Sequence, residues 1–166
     1  NLEDVLAAFR IIRKDLPKAR LKIVGEITEK KYGQELKKLT AKLSLKKSVD
    51  FLGFISEIEK RRLLKTSHLL LHASRTEGWG LVVIEAAAMG TPAVVYNVPG
   101  LSESVVNGKT GIVCFQNTPE EMAKQIIGLL SDSKKYREMQ NNCLARAKEF
   151  SWKKSITKSL KLIESI

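Results

Sequence analysis

The sequence predicts an α/β fold in which a mostly parallel β-sheet is covered by helices on both faces. Short β-branched or leucine-rich runs alternate with longer segments of helical periodicity along the whole chain. Most of the short runs are bounded by glycine, proline or a helix-capping residue. Strands that alternate with helices imply right-handed βαβ crossovers and therefore a doubly wound sheet. No repeat or linker interrupts the alternation, so we expect residues 1–166 to form one domain.

Five strands are predicted from short apolar runs that end in turn residues. Each is too short for a helix and is rich in valine, isoleucine, leucine or phenylalanine. The predicted strands are residues 21–25 (LKIVG), 49–53 (VDFLG), 68–72 (HLLLH), 93–96 (AVVY) and 111–115 (GIVCF).

The helices are predicted from periodicity and from their end signals. Ser56 followed by Glu59 is a capping-box pattern. Thr118-Pro119 places a capping residue before a proline at the first helical position. Gly90 and Pro92 end the helix that contains Glu85. The predicted helices are residues 2–15, 30–45, 57–66, 80–89, 102–106, 119–130, 134–150 and 152–165.

The composition is that of a folded domain, with 43% hydrophobic and 28% charged residues. No apolar run approaches the ~20 residues that span a bilayer, and no signal sequence opens the chain. We therefore expect a cytoplasmic protein. Because the chain begins with Asn1 rather than methionine, we expect it to be a fragment of a longer protein.

Positive charge is concentrated in two segments of a chain with a net charge of +11. Residues 30–47 contain seven lysines and one acid, and residues 133–166 contain nine basic residues and three acids. Three interpretations stay open: solvated helix faces, an anionic membrane surface or lipid-linked phosphate, and nucleic acid. Nucleic acid is disfavoured because aromatic residues are not interleaved with the basic ones. We expect no nucleic-acid partner.

No metal site is predicted. The two cysteines, Cys114 and Cys143, are too few and too far apart for a zinc site or a disulfide framework, so we expect buried free thiols. His68 and His72 flank a predicted strand, and we expect them to be core or edge residues rather than catalysts.

The segment SRTEGWGLVVIEAAAMGTP contains two glutamates, Glu77 and Glu85, around a predicted loop-to-helix transition. The first amides of a helix lack internal partners and carry partial positive charge. Gly78 and Gly80, on either side of Trp79, would let a ligand approach the backbone closely. This arrangement suits a phosphate or sugar oxygens at the carboxyl end of a strand.

Glu85 lies in an otherwise apolar run, where burial without a partner would cost several kcal/mol. An ionised carboxylate only accepts hydrogen bonds, and two adjacent ribose hydroxyls offer it two donors. In a nucleotide-sugar site, Glu77 would hold hydroxyls beyond the phosphates. The alternative is structural: Glu85 pairs with a lysine or caps a neighbouring helix, and Glu77 is merely exposed.

EGWGLVVIE resembles the E-x7-E signature of retaining glycosyltransferases with the GT-B fold, the family that includes many mannosyl- and glucosyltransferases. The segments LKIVGE, VDFLGFIS, PGLSESVVNGKTGIV and FSWKKS also resemble segments of that family in the same order. The resemblance covers essentially all 166 residues. It implies a Rossmann-like, donor-binding half of a two-domain enzyme of glycan biosynthesis.

The resemblance also implies roles for individual residues. Glu77 would contact the donor sugar at the catalytic centre, and Glu85 would hold the nucleotide ribose. The backbone amides of Gly78, Trp79, Gly80 and Leu81 would meet sugar hydroxyls and the diphosphate. The family transfers a hexose from a UDP- or GDP-linked donor, with retention of configuration and no required cofactor or metal. The acceptor would be a glycan or a lipid-linked molecule, the latter at the inner membrane face.

The chain departs from the family in what precedes Asn1. An Arg-x4-Lys pair that grips the diphosphate, the first strand of the sheet and the acceptor domain are all expected upstream. We therefore expect a gap near the middle of the sheet and an isolated fragment that does not transfer sugar. Trp79 stands where phenylalanine is commoner in the family.

Two other functions remain in competition. One is a non-catalytic nucleotide- or sugar-binding module with the same fold. The other is a dinucleotide-dependent oxidoreductase, which is disfavoured because Val83 stands where the third glycine of the fingerprint belongs.

Overall fold

The computed structural model describes residues 1–150 and 152–164. Within them, strands alternate with helices as predicted, and the α/β class is confirmed. The elements are α1 (Leu2–Asp15), β1 (Leu21–Val24), α2 (Lys30–Lys42), β2 (Val49–Gly53), α3 (Glu57–Thr66), β3 (Leu70–His72), α4 (Leu81–Ala88), β4 (Ala93–Tyr96), α5 (Leu101–Ser104), β5 (Gly111–Cys114), α6 (Pro119–Ser131), α7 (Ser133–Ala147) and α8 (Trp152–Glu164).

The helix-start signals act as predicted. The Ser56 hydroxyl accepts the Glu59 amide, and the Glu59 carboxylate accepts the Ser56 amide, which completes the capping box of α3. Thr118 caps α6 by accepting the Glu121 amide at 3.2 Å.

Several predicted boundaries are wrong by a few residues. The helix predicted to reach residue 45 ends at Lys42, because Ser44 turns the chain with a φ of 60° and brings Leu45 into the core. Strand β3 begins at Leu70 rather than His68, and α7 ends at Ala147 rather than Phe150. The predicted end of the last helix, Ser165, lies outside the described residues.

The strands form two parallel sheets, which agrees with the expected parallel sheet interrupted by a gap. Strand β1 pairs with β2, and β3, β4 and β5 pair in that order. Strands β1 and β3 do not pair with each other. Helix α1 packs against both sheets, since its buried residues belong to a cluster with β4 and β5 and to another with β2 and α2. The break lies where the resemblance expects one further strand.

Strand β4 separates the two faces of the larger sheet. Val94 and Tyr96 pack in the cluster shared with α1 and α6, whereas Ala93 and Val95 pack in the cluster shared with α4 and α5. All four residues are buried. Helices on both faces and the carboxyl ends of parallel strands at one edge are the arrangement that the doubly wound prediction requires.

Both cysteines are buried free thiols, as predicted. Burial raises the pKa of each thiol to about 12. The Cys143 thiol donates to the carbonyl of Thr110 at 3.0 Å. In the part of the chain that the structure describes, no helix combines the length and apolarity needed to cross a bilayer.

Candidate functional site

The candidate site begins where β3 ends at the carboxyl edge of the larger sheet. The loop of residues 73–80 leads from β3 into α4. Gly80 adopts the left-handed conformation, with φ 65° and ψ 52°, and supplies no side-chain cap. Helix α4 therefore presents its first backbone amides without a capping side chain, which favours an anionic ligand at this end.

Two close backbone approaches fix this loop against its neighbours. A Cβ added at Gly80 would lie 2.9 Å from Cδ2 of Leu101. A Cβ added at Gly100 would lie 2.5 Å from the carbonyl oxygen of Glu77. Gly100, which also has a positive φ of 84°, is a site residue that sequence reasoning did not single out. Its signal was the Pro-Gly pair that follows β4.

Gly78 lies in the open part of the loop. It is exposed, and a Cβ added there would meet nothing within 4 Å. Its amide donates to Oε1 of Glu77 at 3.1 Å. The side chain of Leu81, at the first position of α4, is also exposed. This side of the loop is therefore open to solvent.

Glu77 is partly buried, with 30% of its side chain exposed. Besides the bond from Gly78, its Oε2 lies 3.4 Å from Nε2 of His72, the last residue of β3. The alternative in which Glu77 is merely exposed is therefore wrong. His72 is half-buried and contacts the site, whereas His68 is exposed and lies two residues before β3.

The Trp79 side chain packs away from the loop tip. Its ring centroid lies 5.1 Å from that of Phe150, in an edge-on arrangement. The Arg146 guanidinium lies 4.7 Å from the Phe150 ring centroid on that ring's face. This aromatic contact ties the loop to the segment that follows α7.

Glu85 is not a buried charge in the core. The face of α4 that carries Val83, Ala86 and Ala87 is buried, while 42% of the Glu85 side chain remains exposed. Helical periodicity thus explains how a carboxylate fits into an apolar run: the run contributes its other side to the core.

A lysine from α3 binds Glu85. Nζ of Lys60 lies 3.1 Å from Oε1 and 2.9 Å from Oε2 of Glu85, and 2.8 Å from Oε1 of Glu57. Hydrogen bonds to Glu57 and to Glu85 raise the pKa of Lys60, so it stays charged at neutral pH. The structural alternative for Glu85, pairing with a lysine, is therefore realised in this structure.

The Lys60–Glu85 pair also lines a cavity. This cavity has a volume of about 210 Å³ and lies between α3 and α4. Lone pairs on both Glu85 oxygens remain available, since a carboxylate offers about four acceptor sites in total. Pairing with lysine and binding of hydroxyl groups are therefore compatible at this carboxylate. The lining residues are Glu57, Lys60, Arg61, Glu85, Ala88 and Met89.

The structure places all six predicted site residues on one loop-and-helix unit, residues 77–85. The two carboxylates contact different neighbours, however: Glu77 contacts His72 and Gly78, and Glu85 contacts Lys60. Within residues 1–150 and 152–164, no group of three or more His, Cys, Asp or Glu side chains is arranged to hold a metal ion.

Comparisons with known proteins match this unit and the fold around it. Residues 1–146 match the family described as "Glycosyl transferases group 1". An uncharacterized glycosyltransferase of Haemophilus influenzae is 31% identical over 153 residues, which cover 92% of this chain and 42% of that protein. A glycogen synthase of Mycobacterium tuberculosis is 33% identical over 132 residues, which cover 80% of this chain and 31% of the synthase. The chain thus spans less than half the length of these relatives.

A solved structure of Anabaena HepE in complex with UDP superposes with a TM-score of 0.83. It is 27% identical in sequence, and the match covers 94% of this chain and 44% of HepE. HepE in complex with UDP-glucose superposes with a TM-score of 0.81 at 26% identity and the same coverage. The α/β fold matches the Rossmann-like domains of GT-B glycosyltransferases.

Proposed function

Because the chain belongs to the glycosyl transferases group 1 family, we propose that it is the donor-binding domain of a retaining, E-x7-E type (family 4) glycosyltransferase. The whole protein would transfer a hexose from a nucleoside-diphosphate sugar to a glycan or lipid-linked acceptor. The observation that carries the proposal is the placement of Glu77 and Glu85 on either side of the uncapped start of α4.

Each part of a nucleotide-sugar finds a chemical partner in this unit. The diphosphate binds the backbone amides of Gly78–Leu81, at the start of α4, where the helix dipole favours negative charge. Glu77 accepts hydrogen bonds from sugar hydroxyls. Glu85 accepts the two ribose hydroxyls at the cavity between α3 and α4. HepE is a relative solved with UDP and with UDP-glucose, which supports UDP-glucose as the first donor to test, before GDP-linked sugars.

Lys60 contributes to this site through charge. A free carboxylate at Glu85 would repel a diphosphate bound one turn away, and the bound ammonium of Lys60 offsets that repulsion. The ribose would share Glu85 with Lys60 rather than displace it, because the carboxylate has acceptor capacity for both.

The reaction breaks the bond between the anomeric carbon and the diphosphate oxygen. The acceptor hydroxyl oxygen bonds to the same face of that carbon, and its proton passes to the leaving diphosphate. Positive charge grows on the sugar ring while negative charge grows on the leaving diphosphate. Glu77 beside the ring and the amides of the α4 start stabilise these two charges respectively, which lowers the barrier. No cofactor is required for this step.

Binding titrations test the proposal. We expect UDP-glucose or a GDP-linked sugar to bind the protein. Glu85→Gln should lower the affinity for the nucleotide by roughly tenfold or more, since hydrogen bonds to charged groups contribute ~1.5–3 kcal/mol. Glu138→Gln, an exposed glutamate of α7, is the matched control and should leave affinity unchanged. Binding of NAD instead of any nucleotide-sugar, or equal affinities for Glu85→Gln and wild type, contradicts the proposal.

A transfer assay separates the enzyme from a non-catalytic binding module. We expect the longer protein to transfer sugar and residues 1–166 alone to bind donor without turnover, because acceptor contacts are assigned to the remaining part. Turnover by residues 1–166 would refute the assignment of acceptor binding to the remaining part of the protein. Donor binding without turnover by the longer protein would favour the binding module.

The proposed location is cytoplasmic, with peripheral contact to an anionic inner membrane face. The lysines of α2 support this proposal, since Lys30, Lys31, Lys37, Lys38 and Lys42 are all exposed. Binding to vesicles that contain anionic lipid should be lost at high salt. Equal binding to neutral and anionic vesicles would contradict the proposed contact with an anionic membrane.

A further inference from the structure

Each oxygen of the Glu77 carboxylate has a polar neighbour. Oε1 accepts the amide of Gly78 at 3.1 Å, and Oε2 lies 3.4 Å from Nε2 of His72. The first contact comes from the loop itself, whereas the second comes from the end of a paired strand. Among the contacts of this carboxylate within residues 1–150 and 152–164, the one from the sheet is that of His72.

The second ring nitrogen of His72 fixes where its proton lies. The amide of Ser74 donates to Nδ1 at 3.4 Å. A ring nitrogen that accepts a hydrogen bond carries no proton, so the neutral imidazole carries its proton on Nε2. Nε2, the nitrogen that carries this proton, lies 3.4 Å from Oε2 of Glu77. The loop thus selects the tautomer that suits the carboxylate.

Burial favours the neutral form of His72. It lowers the pKa of the imidazole, while the Glu77 carboxylate acts in the opposite direction. A second proton on Nδ1 would face the Ser74 amide and remove its acceptor. At neutral pH the ring is therefore uncharged, with Nε2 beside Oε2 of Glu77.

We propose that His72 is a positioning residue that orients the Glu77 carboxylate toward the donor sugar. The inference rests on the proposed function, since it assigns His72 a role only through Glu77. Without the Nε2–H donor, the carboxylate keeps one anchor in its own loop and samples other rotamers. We expect the sugar-dependent part of donor binding to fall by roughly tenfold, because misplaced contacts are costly in oriented sites.

The pairing is tested without any ligand by nuclear magnetic resonance. The chain has two histidines, so His68 is an internal reference and a His68→Gln variant assigns both rings. We expect long-range proton–nitrogen correlations at pH 7.5 to show the Nε2–H tautomer for His72. Glu77→Gln should lower the pKa of His72 and leave the His68 signal in place. The Nδ1–H tautomer, or a His72 titration that Glu77→Gln does not move, overturns the proposal.

The positioning role is tested by comparing UDP-glucose with UDP. His72→Phe keeps an aromatic ring and removes the donor, whereas His72→Gln restores an N–H near the Nε2 position. We expect His72→Phe to weaken UDP-glucose by roughly tenfold, leave UDP affinity unchanged, and be rescued by His72→Gln. Equal weakening of UDP and UDP-glucose, or no rescue by glutamine, shows a structural role only and overturns the proposal.

The two experiments separate this inference from the proposed function. If the wild-type protein binds UDP and UDP-glucose with equal affinity, Glu77 does not contact the glucose and both the sugar assignment and the positioning role of His72 fail. If UDP-glucose binds more tightly than UDP and Glu77→Gln removes that difference while His72→Phe does not, the proposed function stands and this inference alone fails.

Discussion

The two sheets of this domain differ in how completely they are buried. In the three-stranded half (β3, β4 and β5), all of β4 is buried and packs on both faces. In the two-stranded half (β1 and β2), β1 is exposed at every second residue, and 44% of Val24 is exposed. The same α/β alternation has therefore produced one double-sided core and one sheet with its outer positions in solvent.

The candidate site belongs to the better-packed half. Glu77 follows β3, Gly100 follows β4, and α4 connects the two strands. Helix α1 joins the halves: Asp4 accepts the hydroxyl of Tyr96 on β4 at 3.0 Å, and Glu3 accepts the hydroxyl of Tyr32 on α2 at 3.2 Å. A site that depends on fixed backbone amides thus lies where burial holds the backbone most firmly.

The largest expected difference between the halves is in thiol labelling. Cys114 on β5 and Cys143 on α7 are buried with thiol pKa values of about 12, so they react only in opened molecules. At pH 8 we expect both to react at least about a thousandfold more slowly than a cysteine introduced by Val24→Cys, because core opening costs several kcal/mol. Labelling of either native thiol at the rate of a free cysteine would show that the three-stranded half opens readily.

The next effect comes from glycines that follow strands in the two halves. Gly100→Ala places a methyl group against the Glu77 carbonyl at a positive φ, and we expect a loss of about 3 kcal/mol in unfolding free energy. Gly53→Ala, at the end of β2, also has a positive φ but meets nothing within 4 Å. It should cost about 1 kcal/mol, from the backbone alone. Equal losses of unfolding free energy in denaturant titrations would mean that the methyl group added at Gly100 does not clash with the Glu77 carbonyl.

A matched pair of valines measures the packing difference directly. Val95→Ala on β4 removes two methyl groups from a fully buried site and should cost about 2 kcal/mol. Val24→Ala on β1 should cost about 0.5 kcal/mol or less, because the side chain is already half in water. Chemical denaturation of both variants checks this, and a larger loss for Val24→Ala would reverse the ranking of the halves.

The smallest expected effect concerns the two tyrosines whose hydroxyls donate to carboxylates of α1. Tyr96→Phe removes one of two side-chain donors to Asp4, the other being Asn1, and should cost about 1 kcal/mol. Tyr32→Phe should cost about 0.3 kcal/mol or less, since water can replace the exposed hydroxyl bond to Glu3.

The pKa of Tyr96 is raised, mainly by burial and also by the neighbouring Asp4 carboxylate. The wild-type free energy of unfolding should therefore fall above pH 10, because the tyrosine of the unfolded chain ionises before that of the folded protein. Tyr96→Phe should show a weaker fall, and an unchanged alkaline profile would argue against this contact.

Most of the fold could be predicted from local chemistry. The Ser56–Glu59 capping box and the Thr118-Pro119 start are contacts within one turn, so the residues that make them are adjacent in sequence. The predicted site residues fall on one loop and helix for the same reason. Ser44 marks the limit, because its positive φ serves the burial of Leu45, and that burial depends on other elements.

The sequence by itself determined the alternation of strands and helices, the start of α4 at a glycine and the two carboxylates beside it. Only the tertiary structure decided which strands pair on each side of the gap, that Lys60 from α3 binds Glu85, and that His72 and Gly100 contact the Glu77 loop. The physical reason is range. Caps, periodicity and turns act over a few residues, whereas pairing between strands and contacts between separate elements depend on how the whole chain packs.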